Sequence, residues 1–218
     1  NKMITKGKIS AFQFYVMLFL SRTLTTVTYI SSYTKDVRLS DMLVQPIFRI
    51  IFGSIIMIPV YLLYKKYENK NLIDIANERS QGFSKALSVL YVMAFFYFTV
   101  VTIARLDVFA GTVVFPETNV NFMIIFVIIF CCYGAYLGFE ALGRSSVLTA
   151  ILVIPAIIFI LCALTDKVDL LNLSPVFYNG VTPVVKTAID SVAQTIEYAI
   201  IAIALPKVSG KAAKGFFI

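Results

Sequence analysis

Apolar residues along this chain fall in runs far longer than a strand or a surface helix uses, and polar residues gather between the runs. Six runs, at 11–33, 46–64, 86–104, 120–139, 147–164 and 188–205, are long enough as helices to cross a bilayer. At about 1.5 Å rise per residue, ~20 residues cover a hydrocarbon core of ~30 Å. The pattern predicts an all-α integral membrane protein. The first run lacks the charged start, short apolar stretch and small-residue cleavage site of a signal peptide, so it reads as a retained span.

Two runs depart from what a lipid anchor would need. Between residues 21 and 34, eight of fourteen positions are Ser or Thr, and Arg22 stands among them. Lipid offers no partner for a hydroxyl or guanidinium, and a charge at the bilayer centre costs about 2.5–3.5 kcal/mol even on a lenient scale. Arg22, Thr25, Thr26 and Thr28 are therefore expected to face protein, water or a ligand. In the sixth run, Asp190, Gln194 and Glu197 follow at i, i+4 and i+7 with Thr195 and Tyr198 beside them, a spacing that puts the three on one face of a continuous helix. One reading is an amphipathic interface feature. The other is a buried Glu197 that partners a cation, a proton or Arg22.

Other polar residues inside runs have two readings each. Arg49 in the second run lies near an interface, so it either snorkels outward or faces the bundle. Thr99 and Thr102 in the third run either bond their own helix carbonyls or line a cavity.

Charge sets the orientation. With the amino terminus inside, twelve Lys and Arg fall in cytoplasmic segments against five outside, with Arg105 among the outer five. That is a positive-inside bias, and it accounts for the net charge of +7 without nucleic acid. Residues 68–84 form a mixed-charge inner loop whose 72–78 stretch suits a short interfacial helix. The outer loop 166–187 mixes Pro and Gly with apolar residues and reads as a packed lid or short helices.

Composition narrows the chemistry. The chain is 59% hydrophobic and 14% charged and has no His and no Trp, which excludes histidine-based metal sites, proton relays and Ser-His or Cys-His catalysis. Cys131, Cys132 and Cys162 lie in apolar runs and suit packing. No nucleophile and base pair, metal cluster or phosphate loop is visible, so neither enzyme nor cofactor is expected.

The hydroxyl-rich first span and the acidic sixth span are five helices apart. Many secondary transporters break the first helix of each of two inverted repeats and bind substrate between the freed ends. The stretch Leu171-Asn172-Leu173-Ser174-Pro175-Val176-Phe177-Tyr178-Asn179-Gly180-Val181-Thr182-Pro183-Val184-Val185-Lys186 adds a family likeness. So do Glu197 with Pro206 nine residues on, the Lys207–Phe216 tail, the opening Lys8-Ile9-Ser10-Ala11-Phe12-Gln13-Phe14 and a turn at 140–146. Together they resemble the spore germination permeases, the B subunits of nutrient germinant receptors.

That resemblance implies the amino acid–polyamine–organocation fold, with ten helices in two inverted repeats of five. Residues 1–165 would form the first repeat, 166–187 an outer loop, and 188–218 the first helix of the second repeat with its inner loop. The chain is thus expected to be part of a protein of about ten spans. The resemblance also implies a nutrient such as an amino acid as ligand, A and C receptor subunits as partners, and the spore inner membrane or cell membrane as location. The family's glycine-rich break in helix one is replaced here by Thr25-Thr26-Val27-Thr28, and its Phe-Pro-Phe-Gly run before the helix-six Glu by Ala193-Gln194-Thr195-Ile196. The residues expected to hold a ligand are Arg22, Thr25, Thr26, Thr28, Thr99, Thr102, Gln194, Thr195, Glu197 and Tyr198. Two further functions stay open: an amino acid symporter with Glu197 as coupling carboxylate, and an assembly scaffold without a ligand.

Overall fold

The computed structural model describes residues 8–28, 41, 43–67, 70–114, 120–165, 175 and 177–209. The expected end of the first span at Tyr33, the side chain of Thr28, the hydroxyls Ser31, Ser32 and Thr34, residues 166–174 of the outer loop and the tail after Ser209 lie outside the described residues.

Helix α1, Ala11–Thr28, begins at a reciprocal cap. The Gln13 N–H donates to Ser10 Oγ at 3.2 Å, and the Ser10 N–H donates to Gln13 Oε1 at 2.9 Å, so two of the donors orphaned at a helix start are paired. Helix α2, Gln45–Lys66, carries Pro46 in its first turn, where a missing N–H costs nothing. A second reciprocal cap, between Asn71 and Asp74, opens the short α3, Leu72–Arg79, on the expected inner loop. The long α4 runs Gln81–Phe109 and passes into a π-helical turn at Ala110–Val114; α5 is Val120–Leu137 and α6 is Phe139–Leu164.

Two expectations change here. The reversal between α5 and α6 sits at Gly138, whose φ of +85° favours glycine, and residues 140–146 are helix, with the Glu140–Arg144 pair one turn apart on its surface. Arg105 lies inside α4 and not in an outer loop, because this helix outruns its apolar stretch.

The sixth span is two helices. The first, α7, runs Val181–Ala193, and the second, α8, Glu197–Ala204, ends in a 3-10 turn at Leu205–Lys207. Helix α7 starts seven residues before the apolar run, inside the expected outer loop, with Pro183 tolerated in its first turn.

Among the described residues, four segments are long and apolar enough to cross a membrane: Gln45–Lys66, Gln81–Thr112, Phe139–Leu164 and Val181–Lys207. In the broken one, 39% of its most apolar window is buried, against at most 6% in the others, so it is the central element. Wide apolar faces on α4 and α5, including Phe96, Phe126 and Phe130, stay exposed as lipid-facing surface. Helix α1 packs chiefly on α6, and α2 on α7.

A short parallel pair ties the two polar spans together. Strand β1, Ile9–Ser10, lies beside β2, Val208–Ser209, with Ile9 opposite Val208. Ile9, Phe14, Ile201, Ala204, Leu205 and Val208 form one buried cluster at this end. Gly143 on α6 admits the strand, since a Cβ there would come within 2.9 Å of Ile9 Cγ2. The start of α1 is thereby fixed against the end of α8.

Candidate functional site

The backbone of the sixth span leaves the helix at Gln194–Ile196 without a Gly or Pro. Its ladder narrows from Gln194 N–H to the Asp190 carbonyl (3.1 Å) to Thr195 N–H on the Val192 carbonyl (3.0 Å). It restarts where the Ala199 and Ile200 N–H groups both donate to the Ile196 carbonyl. The Thr195 hydroxyl donates to the Ser191 carbonyl at 2.8 Å, so a side chain occupies an acceptor that the broken ladder would leave open.

Tertiary contacts hold this break. Arg49 Nη2 on α2 donates to Thr195 Oγ1 at 3.1 Å, and Arg105 Nη2 on α4 donates to Gln194 Oε1 at 2.6 Å. One turn before the break, Gln45 Nε2 donates to the Thr187 carbonyl (3.1 Å) and to Ser191 Oγ (2.6 Å). Arg49 therefore does not snorkel; it is used inside the bundle. Val184, Ala188 and Val192, four residues apart, are the buried stripe of α7.

Glu197 opens α8 and is 7% exposed. A carboxylate in a first turn is favoured by the helix dipole, and Ser21 Oγ on α1 donates to its Oε1 at 3.2 Å. Next to it, Arg22 Nε is buried without a hydrogen-bond partner. The guanidinium of Arg22 lies within electrostatic range of Arg49, Arg105, Glu197 and Tyr198. The Tyr198 phenol reaches α2 at Gly53, where a Cβ would overlap its hydroxyl. Irregular backbone within a span is tolerated where it is buried in protein or lines a cavity. Here it is walled by α1, α2 and α4.

A break in the sixth span is what the likeness to secondary transporters anticipates, whereas α1 runs unbroken over Ala11–Thr28. Residues 8–215 match the spore germination protein family of spore permeases. The chain belongs to that family. No curated protein and no solved structure gives a match. As a spore germination protein, it is a permease-like membrane protein related to germinant receptors.

Within this spore permease, the expected ligand residues divide. Arg22, Gln194, Thr195, Glu197 and Tyr198 gather at the break. The linear i, i+4, i+7 face does not survive it: Asp190 and Gln194 stay exposed, while Thr195 and Glu197 turn inward. Thr25 is half-buried one turn from Ser21 and donates to the Ser21 carbonyl at 2.9 Å. Thr26 is exposed and donates to the Arg22 carbonyl. Thr99 and Thr102 are exposed on α4 and donate at 2.8 Å to the Phe95 and Phe98 carbonyls. Ser21, Gln45, Gly53 and Arg105 join the site without having been singled out as ligand residues. For Arg105 the missed signal was length: the polar residues flanking an apolar run can still belong to its helix. Among the described residues no group of His, Cys, Asp or Glu could hold a metal ion, and the three cysteines are exposed and unbridged.

Proposed function

We propose that this protein is a nutrient-sensing subunit of a spore germinant receptor, binding a small amino acid-like molecule between α1 and the broken sixth span. The observation that carries the reading is the interruption at Gln194–Ile196, faced by Ser21 and Arg22 and gripped by Arg49 and Arg105. Family membership supports the setting. Ligand binding would favour one packing of α8 against α1 over another, and A and C receptor subunits would read the change. On this reading the protein is a receptor and not an enzyme. Its first five spans are one repeat, and the broken span opens the second. The amino terminus is cytoplasmic, as the excess of Lys and Arg in the inner segments supports.

Counterflow of labelled amino acids in liposomes tests the assignment, using the full-length protein alongside equilibrium binding. A sensor binds without exchange. Rapid counterflow would instead make the protein a symporter, and absence of any amino acid binding would make it a scaffold.

A further inference from the structure

The charges around the break do not balance. Two guanidiniums, Arg22 and Arg49, stand at the break with one buried carboxylate, Glu197. Arginine stays protonated in proteins, so the excess cannot be relieved by losing a proton. Among the described residues no ion pair joins Arg22 or Arg49 to a carboxylate. Asp190, on the neighbouring turn, is exposed and forms no ion pair there. Glu197 itself accepts from Ser21, a neutral donor.

The donors are also under-used. Arg22 Nε is buried and unpartnered, an arrangement that costs free energy unless something supplies an acceptor. Arg49 commits one bond to Thr195 Oγ1, although a guanidinium carries five N–H donors in a fork that matches a carboxylate bidentately. A neutral zwitterion would bring one carboxylate and one ammonium, leaving the positive excess unchanged. A ligand with two carboxylates would reduce it and give each of Arg22 and Arg49 an acceptor.

We propose that the ligand of this crevice is a small acid with two carboxylates on a short carbon chain, held by Arg22 and Arg49 across the α1–α2 face of the broken helix. This rests on the reading of the crevice as a nutrient site. Arg105, bonded to Gln194 at the exposed side, adds attraction for the incoming anion. In an acidic amino acid the ammonium would face Glu197; in a plain diacid that position would be water.

The test is equilibrium binding of L-glutamate, succinate and L-alanine to the full-length protein in nanodiscs. At least one of the two diacids should bind tenfold or more tighter than L-alanine, and which one does so separates the amino acid from the plain acid. Arg49→Gln should abolish that preference, and Arg49→Lys, which keeps charge without the fork, should restore part of it. If L-alanine binds as tightly as both diacids, the ligand class is wrong while the nutrient-site reading stands. If none of the three binds, both fall. The wild-type comparison decides the ligand class even where an Arg49 variant fails to fold.

Discussion

Replacing Gly53 by Ala tests whether Tyr198 is seated against α2 as described. A Cβ at this position would overlap the Tyr198 hydroxyl and lie 3.0 Å from Cζ, closer than carbon atoms pack. The ring must swing away, and overpacking of this kind costs typically 1–3 kcal/mol. Against that stands the gain from replacing a helix-interior Gly, about 1 kcal/mol. Gly53→Ala should therefore destabilise by about 0–2 kcal/mol. The sharper quantity is the coupling. In a Tyr198→Ala background the overlap is gone, so the same substitution should become neutral or stabilising, and the cycle should close with ~1–3 kcal/mol of interaction energy. Unfolding midpoints of the full-length protein in detergent, for the two single variants and the double, measure it. Equal effects of Gly53→Ala in both backgrounds would show that the phenol does not rest on Gly53.

Ser21→Ala removes a donor to the buried Glu197 carboxylate and should destabilise by about 1.5–3 kcal/mol, whereas Thr26→Val removes only an exposed hydroxyl bonded to its own helix and should change stability by less than about 0.5 kcal/mol; chemical denaturation ranks the two. Asp41 is 1% exposed and accepts from the Phe177 N–H at 2.6 Å, so Asp41→Ala should cost about 1–3 kcal/mol and raise protease cleavage near Phe177. A single cysteine at Lys70 should be shielded from an impermeant thiol reagent in intact cells and one at the exposed Asn179 should react, because positive charge is retained inside; the reverse pattern would overturn the orientation.

The spans were legible because lipid imposes long apolar runs, and the short α3 because the mixed-charge 72–78 stretch suits a helix. Arg22, Thr195 and Glu197 were legible because lipid offers such groups no partner, whereas Thr26 is exposed and bonded to its own helix. The break at Gln194–Ile196 was not legible, since Gln, Thr and Ile carry no backbone preference that ends a helix there. It is held instead by Arg49 and Arg105, which reach it from positions 146 and 89 residues away in the chain. Side-chain periodicity assumes an unbroken helix, and that assumption placed Asp190 and Glu197 on one face. Ser21 was visible only as one hydroxyl among eight, because what distinguishes it is its approach to Glu197, a contact across 176 residues.

A germination dose–response with Glu197→Gln bears most directly on the central claim that α1 and the broken span bind the nutrient. Glutamine keeps the size and an acceptor for Ser21, so membrane abundance should be unchanged, while the negative charge near Arg22 is lost. The rearranged charge balance should shift the response to nutrient by at least about tenfold in concentration, equivalent to ~1.4 kcal/mol. A response identical to wild type at equal abundance would place the site elsewhere and leave the broken helix a structural support.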